Sequence, residues 1–262
     1  MASIHPFRAL RPVPEMAATV AAVPYDVVSR AEACKLAEGN THSFLHVSRS
    51  EIDLDIQTNP YADVVYRKAA ENLEALRQSV PLVVEEAPSL YFYRLQDGSH
   101  QQTGLAGCYS IDEYERGVIK RHERTRADKE DDRTRHIVAV RAQTGIAFLT
   151  YRAPEEIGAL QARACEDEPL FDITAPDGVS HTVWRLTNPD QEAVVKALAE
   201  VKTLYIADGH HRIASAARVR GKLGAANNHD PTAESCYFLG VAFPDTETRI
   251  LPYNRTVASL AG

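Results

Sequence analysis

The sequence predicts an α+β protein built around a mixed β-sheet. Candidate strands and helices alternate along the 262 residues without the regular strand–helix–strand repeat of a parallel α/β fold. An Asp-Gly turn between two strand-like segments, at residues 96–99, indicates a β-hairpin and therefore an antiparallel pair. Apolar residues make up 44 % and charged residues 25 % of the chain, which is typical of a globular protein with a sizeable core.

The first eighty residues are expected to contain extended chain, two helices and a strand. Each of the four prolines before residue 25 argues against a helix interior around it, because proline lacks the N–H that a helix uses. Ser29 and Glu32 have the spacing of a capping box, which marks a helix start, and Gly39 marks its end. The expected elements are extended chain over 4–28, a helix over 29–39, a strand over 41–48, a loop over 50–60 and a helix over 61–79.

Beyond residue 81 the apolar residues change from helical to alternating spacing, which predicts a sheet-rich second part. The spacing places a helix start at Asn188, as N-cap, with Pro189 at the first helical position. The change of pattern predicts a boundary between an N-terminal extension, 1–80, and a second region, 81–262. The expected strands cover 90–95, 104–111, 146–151, 182–186, 203–207, 236–243 and 248–253, and the expected helices cover 154–165, 189–201 and 211–222.

Charge and cysteine usage exclude several classes of protein. Lys and Arg, 29 in number, are outnumbered by 36 Asp and Glu, and the net charge of −7 argues against a nucleic-acid or anionic-membrane partner. No run approaches the ~18 apolar residues of a membrane span, and no signal-peptide order is present. Because the cysteines form no C-x-x-C pair, we expect four buried, reduced thiols in a cytoplasmic protein. They are Cys34, Cys108, Cys165 and Cys236.

An apolar strand leads directly into Asp208-Gly-His-His-Arg212 and then into an alanine-rich helix. Gly209 permits a tight turn, and the first N–H groups of the helix attract anions. Arg212 adds a planar fork for phosphate or carboxylate, and His210 and His211 add further donors. The sequence therefore predicts an anion site; the alternative is a capped turn with Asp208 as N-cap. Zinc is disfavoured, because adjacent histidines on a helix point about 100° apart.

A second polar segment runs from Ile119 to His136, and twelve of the fifteen residues from His122 onward are ionic or histidine. His122-Glu-x-x-Arg126 lacks the second histidine of the H-E-x-x-H motif, which excludes that class of metalloprotease. Two interpretations stay open: a solvated helix with i,i+4 ion pairs, or a site whose cations bind phosphate and whose carboxylates bind Mg²⁺ or act as a base. Neither the P-loop nor the Rossmann fingerprint occurs.

Six motifs, in order, resemble the prokaryotic family called domain of unknown function 1015. They are Pro6-Phe-x-Ala-Leu-Arg-Pro12, Pro24-Tyr-Asp-Val27, Ser43-Phe-Leu-His-Val47, Ile119-Lys-Arg-His-Glu-Arg-Thr-Arg126, Ile206-Ala-Asp-Gly-His-His-Arg212 and Pro252-Tyr-Asn-Arg255. That family usually continues past the last motif, so we expect a truncated or natively short member. The Asp-Gly-x-x-Arg turn and the upstream His-Glu are also similar to those of the ParB/sulfiredoxin superfamily, which includes free serine kinases.

The second resemblance implies a ParB/sulfiredoxin-like core with an N-terminal α/β extension, and a phosphotransferase acting on a small hydroxyl substrate such as free serine. It implies Mg²⁺ as cofactor and ATP, ADP or pyrophosphate as donor. The implied catalytic residues are Glu123, Asp208 and His211, with Asp208 also a metal ligand; Gly209, His210, His211 and Arg212 would bind phosphate. His122, Arg124, Arg126, Tyr253 and Arg255 would bind substrate or neutralise charge. The alternatives are a phosphoester or nucleotide hydrolase, or a ParB-like nucleotide-binding regulator without catalysis.

Overall fold

A nine-stranded mixed sheet organises the part of the chain that the computed structural model describes, residues 1–79, 82–224, 230–252, 254 and 257. Its strands are β1 (Ile4–His5), β4 (Tyr91–Asp97), β5 (His100–Ser110), β6 (Ile119–Lys120), β7 (Ala147–Tyr151), β8 (Phe171–Thr174), β9 (Ser180–Arg185), β10 (Leu204–Asp208) and β11 (Tyr237–Pro244). A separate antiparallel pair consists of β2 (Leu10–Pro12) and β3 (Leu82–Val84).

The strand order is β6-β10-β7-β11-β5-β4-β9-β8, and β1 pairs with the C-terminal end of β5. Strand β10 runs parallel to β6, and β11 runs parallel to β7, whereas the other paired strands described are antiparallel. This mixture confirms the predicted α+β class. It also places β10, which leads into the Asp208–Arg212 turn, between a two-residue edge strand and the central part of the sheet.

Helices pack against the sheet and form much of the N-terminal region, residues 1–79. They are α1 (Ala17–Val20), α2 (Arg30–Ala37), α3 (Leu45–Ser48), α4 (Asp63–Ser79), α5 (Ile111–Glu115), α6 (Ala127–Val140), α7 (Glu155–Ala164), α8 (Asp190–Ala199) and α9 (His210–Leu223). Short 3₁₀ turns lie at Pro14–Met16, Ser50–Asp53 and Glu234–Cys236. Ile157 of α7, Leu198 of α8 and Ile213 of α9 are fully buried together with Leu149 and Phe238 of the sheet. Helix α6 packs against both α4 and α9 and so joins the N-terminal region to the turn.

The structure confirms two local predictions, the capping box and the β-hairpin. The hydroxyl of Ser29 accepts the N–H of Glu32, and the Glu32 carboxylate accepts the N–H of Ser29 at 2.7 Å, so the capping box that starts α2 is confirmed. Strands β4 and β5 form the predicted hairpin, with Asp97 opposite His100 and Gly98 at a φ of 55°. Both features depend on residues close together in the chain.

The strand expected over residues 41–48 is wrong, because this segment ends in helix α3. The hydroxyl of Ser43 accepts the N–H of Leu45, and the N–H of Phe44 donates to the carbonyl of Val20. Leu45 and Val47 are buried on the helical turn. A short apolar run does not distinguish a strand from a buried turn of helix, and the serine bond favours the helix here.

Two further expectations differ from the structure, and one strand has no counterpart in the sequence prediction. Helix α8 has Pro189 rather than Asn188 as N-cap, since the Pro189 carbonyl accepts the N–H of Ala193. Residues 248–252 are not a strand, because the chain turns after β11; Tyr253, the last residue of that expected strand, lies outside the described residues. Strand β8 was not expected, since its four residues are too few to show a clear alternation.

Contacts cross the predicted boundary between residues 80 and 81. Strand β2 pairs with β3, and β1 pairs with β5 of the central sheet. All four cysteines are free, as expected, but Cys34 is exposed and the other three are only partly buried, so the expectation of four buried thiols is wrong. None of the helices in the described chain combines the length and apolar character needed to cross a bilayer.

Candidate functional site

A sharp turn at Gly209 connects strand β10 to helix α9. Gly209 is the N-cap of the helix and has a φ of +89°, in the left-handed region that favours glycine. A Cβ atom at this position would lie 3.2 Å from the Cα of Ala147 on the neighbouring strand. The predicted strand-to-helix turn is therefore confirmed, but Asp208 is not its N-cap as the capped-turn interpretation required.

The start of helix α9 presents three unused backbone donors. The first intrahelical bond runs from the N–H of Ile213 to the carbonyl of Gly209. The N–H groups of His210, His211 and Arg212 precede that bond, and no described residue accepts from them. An anion is stabilised at such a helix start by the free donors and by the partial positive charge.

Glu123 lies beside the turn although it is 85 positions away in sequence. Its carboxylate oxygen Oε2 is 3.9 Å from Nδ1 of His210, and its side chain is 58 % exposed. The rings of His122 and His210 meet edge to face, with centroids 4.5 Å apart. The convergence of Glu123 and the turn, which a kinase would require of its base and phosphate site, is present.

The hydrogen bonding of His210 determines where its proton lies. The N–H of His122 donates to Nε2 of His210 at 3.4 Å, so the proton of the neutral ring is on Nδ1, facing Glu123. Burial, and next the neighbouring His122, lower the pKa of His210 below its ordinary value, and Glu123 and Asp208 offset this only in part. His210 is therefore neutral at pH 7, and its Nδ1–H lies on the side of the Glu123 carboxylate, beyond hydrogen-bond distance.

His211 contacts the other end of the same loop. The N–H of Arg126, the N-cap of α6, donates to Nε2 of His211 at 3.1 Å. The Arg126 guanidinium is turned away and pairs with Asp128 at 2.7 Å, in an exposed position. His210 and His211 thus hold the loop of residues 122–126 at both of its ends.

Arg212 is bound to the N-terminal region of the chain. Its Nη2 donates to both carboxylate oxygens of Asp26 at 2.6 Å, and its Nη1 donates to the carbonyl of Ile146 at 2.7 Å. The Tyr25 ring lies 5.6 Å from the guanidinium carbon. Sequence reasoning missed Asp26; the Pro24-Tyr-Asp-Val27 motif was the signal, but nothing in it indicated a partner.

Three motifs distant in sequence, Pro24–Val27, Ile119–Arg126 and Ile206–Arg212, therefore meet at one place. A family model described as a protein of unknown function, DUF1015, matches residues 4–262. The chain belongs to this family. No curated protein and no solved structure matches it. The family match covers nearly the whole chain, but its description assigns no activity. The contacts within this DUF1015 protein therefore carry the functional argument.

The ionic segment of this DUF1015 chain is not the solvated helix that its charge suggests. Asp132, Thr134 and His136 of α6 are buried. The Tyr66 hydroxyl donates to Asp132 at 2.8 Å, and Nε2 of His136 donates to the carbonyl of Val47 at 2.9 Å. These bonds satisfy polar side chains inside the protein, so α6 is partly buried despite having few apolar residues.

Of the remaining predicted site residues, Arg124 and Asp208 are exposed, and two lie outside the described chain. Arg124 is exposed, and no described residue contacts its guanidinium through a hydrogen bond or ion pair. The carboxylate of Asp208 lies 3.6 Å from Nη1 of Arg212. Tyr253 and Arg255 are outside the described residues. Their predicted roles, including metal binding by Asp208, stay predictions.

One group of described residues could hold a metal ion. His122, Glu123 and His210 each offer a ligand atom, and these atoms lie within 4.8 Å of one another. Two imidazoles and one carboxylate are typical ligands of zinc, manganese or iron, whereas Mg²⁺ prefers oxygen ligands throughout. The predicted Mg²⁺ therefore does not fit this cluster, and Asp208 is not part of it.

Proposed function

We propose that this protein is a phosphotransferase that moves a phosphoryl group to a small hydroxyl compound, with a ParB/sulfiredoxin-like core around the turn. The observation that carries the proposal is the position of the Glu123 carboxylate, 3.9 Å from His210, at the start of a helix with three free N–H groups. Phosphoryl transfer depends mainly on positioning and on charge stabilisation, and a base beside an anion site supplies both.

In this proposal the N–H groups of residues 210–212 bind oxygens of the transferred phosphoryl group. Glu123 takes the proton of the acceptor hydroxyl as its oxygen bonds to phosphorus, and the bond from phosphorus to the donor oxygen breaks, leaving the electron pair on the donor. His210, protonated at Nδ1, faces the carboxylate and orients it. His211 supports the site from the opposite end of the loop by holding Arg126.

Arg212 contributes to phosphate binding only if Asp26 releases it. The guanidinium carries two contacts to that carboxylate and is 11 % exposed. We therefore expect Asp26→Asn to tighten donor binding roughly tenfold, because the freed guanidinium can turn to the phosphate. Arg212→Ala should weaken donor binding and turnover together. A donor affinity that Asp26→Asn leaves unchanged would remove Arg212 from the phosphate site.

The donor proposed is ATP, ADP or pyrophosphate, the acceptor is a small molecule such as free serine, and the compartment is the cytoplasm. Since the converging ligands do not suit Mg²⁺, the proposed transfer step uses only the backbone donors, Glu123 and the histidine that orients it. Mg²⁺ dependence is a separate prediction, to be measured by titrating the ion into the transfer assay at fixed donor concentration.

The decisive experiment is a phosphoryl-transfer screen of the full chain, with the three donors against a panel of small alcohols and hydroxyl amino acids. Glu123→Gln keeps the shape of the side chain but accepts no proton, so turnover should fall roughly 10²–10⁴-fold while donor affinity by calorimetry stays nearly constant. Glu166→Gln, at an exposed glutamate away from the turn, is the matched control. Full turnover by Glu123→Gln would exclude Glu123 as the base.

A metal-assisted phosphoester hydrolase is the second candidate, favoured by the grouping of His122, Glu123 and His210. Two histidines and a glutamate are a ligand set of hydrolytic zinc sites, where the bound metal supplies an activated water at neutral pH. Phosphate release without an acceptor, dependent on Zn²⁺ or Mn²⁺ and lost in His122→Ala, would favour hydrolysis. Transfer to an acceptor that persists in His122→Ala would favour the phosphotransferase.

A further inference from the structure

A cavity of about 630 Å³ lies between the N-terminal region and helix α6, next to the turn. Arg30 and Ser48 line it from the N-terminal side, and Lys129 and Arg133 line it from α6. Asp26, Arg126 and His211 also line it, so the cavity borders the turn and shares part of its wall with it. Its volume suits a small molecule.

The cavity has an excess of positive charge. Each carboxylate in its wall already faces an arginine: Asp26 with Arg212, Glu51 with Arg49 and Asp132 with Arg133. Arg30 and Lys129 have no carboxylate partner among the described residues; Arg30 donates to the carbonyls of residues 54–56, and Lys129 donates to the Tyr61 hydroxyl at 3.2 Å. Two cations that no carboxylate neutralises attract an anion to the space between them.

Donors in the same wall lack acceptors. Ser48 is 5 % exposed, and its hydroxyl has no partner within the described chain. The same holds for Nη1 of Arg133 and Nε of Arg30. Because buried polar groups are nearly always hydrogen-bonded, unused donors on three residues that line one cavity favour a ligand with acceptor oxygens there.

Arg133 is held in place before any ligand arrives. Its Nε and Nη2 contact the Asp132 carboxylate at 2.9 Å and 2.8 Å, and its guanidinium carbon lies 4.2 Å from the centroid of the Tyr25 ring. Ion pairing and ring stacking fix the plane of the guanidinium and leave Nη1 unused. A donor fixed in this way binds an oxyanion with little loss of side-chain entropy.

We propose that this cavity binds a small molecule carrying a phosphate or carboxylate group, in addition to any phosphate at the turn. Lys129 and Arg30 supply the charge, and the Ser48 hydroxyl and Nη1 of Arg133 donate hydrogen bonds to the oxyanion. The assignment requires binding only and holds whether or not the protein transfers phosphoryl groups.

The test is isothermal titration calorimetry of the full chain at low ionic strength, with pyrophosphate and citrate as separate probes. At least one probe binds, and Ser48→Ala weakens it roughly fivefold and Lys129→Gln roughly tenfold. Ser48→Ala removes a hydroxyl that has no protein partner, so the fold is retained. Pyrophosphate alone identifies a phosphate ligand, and citrate alone identifies a carboxylate ligand.

Lys68→Gln on helix α4 is the matched control, since Lys68 is a partly exposed lysine outside the cavity. It should change the affinity by less than about twofold, because water and salt screen a distant charge. Absence of millimolar binding for both probes, or an equal loss in Lys68→Gln and Lys129→Gln, overturns the assignment. Binding that neither cavity variant weakens places the anion at the turn, which overturns the cavity site but leaves the phosphotransferase proposal intact.

Discussion

His136 makes the stability of this protein sensitive to mild acid. The ring lies in the buried face of helix α6, and its Nε2–H donates to the carbonyl of Val47 in α3. Burial, and next the positive charge of Arg133, lower its pKa from 6.5 to about 4, although the bond to Val47 and the nearby Asp132 partly oppose the change. The folded protein therefore keeps this ring neutral where the unfolded chain protonates it.

The size of the effect follows from the two pKa values. A histidine whose folded pKa is depressed contributes stability that is complete above pH 6.5 and is lost as pH falls toward 4. One pKa unit corresponds to about 1.4 kcal/mol, so the free energy of unfolding should fall by about 2.5 kcal/mol between pH 7.5 and pH 4.5 from this group alone. That is a large part of the ~5–15 kcal/mol by which a domain is stable.

The measurement is urea unfolding at half-unit steps across this pH range, for the wild type and His136→Gln. Glutamine offers an N–H of similar reach to the Val47 carbonyl but does not titrate, so the difference between the two curves isolates the histidine. His100→Gln, at the end of the β4–β5 hairpin, controls for removal of a histidine as such. Parallel curves for the wild type and His136→Gln would refute the assignment of a buried neutral ring.

Two further predictions concern the contact between Arg212 and Asp26, here called the tether, and the packing of the sheet. Arg212→Ala should lower the free energy of unfolding by about 1–2 kcal/mol and raise hydrogen exchange around Asp26, because the carboxylate loses its partner; retained protection there would contradict the tether. Gly107→Ala should destabilise by about 1–3 kcal/mol, because the new Cβ would lie 2.6 Å from the Ile4 side chain, whereas Gly158→Ala, in helix α7 with nothing within 4 Å, should stabilise by about 0.5–1 kcal/mol. Thermal unfolding of both glycine variants checks the contrast. A change of the unfolding temperature in the same direction for both variants would contradict it.

The turn could be predicted from the sequence because its determinants are adjacent in the chain. An apolar strand, Gly209 and an alanine-rich helix follow one another directly, and each restricts the backbone of the next. The partner of Arg212 could not be predicted in the same way. Asp26 is 186 positions away, and a carboxylate in a proline-rich segment carries no local mark of the guanidinium that it will contact.

The burial of polar side chains on α6 could not be predicted from the sequence either. Asp132, Thr134 and His136 are polar, so hydrophobic periodicity assigns them to solvent. Tyr66 of α4 and Val47 of α3 complete the hydrogen bonds of Asp132 and His136, and Thr134 donates to the carbonyl of Glu130 in its own helix. Such burial depends on tertiary contacts that form only once α3 and α4 are packed against α6.

The hydrogen bonds of His210 and His211 to the 122–126 loop also determine the tautomer of each ring. Both accept a backbone N–H through Nε2, so both neutral rings carry their proton on Nδ1, and imidazole ¹⁵N shifts would report this directly. A metal ion that takes either Nε2 must displace the backbone N–H of His122 or Arg126 from that ring. Binding of an ion at either imidazole is therefore coupled to the placement of the loop that carries Glu123, so such an ion and a ligand that contacts Glu123 change each other's affinity by the same factor.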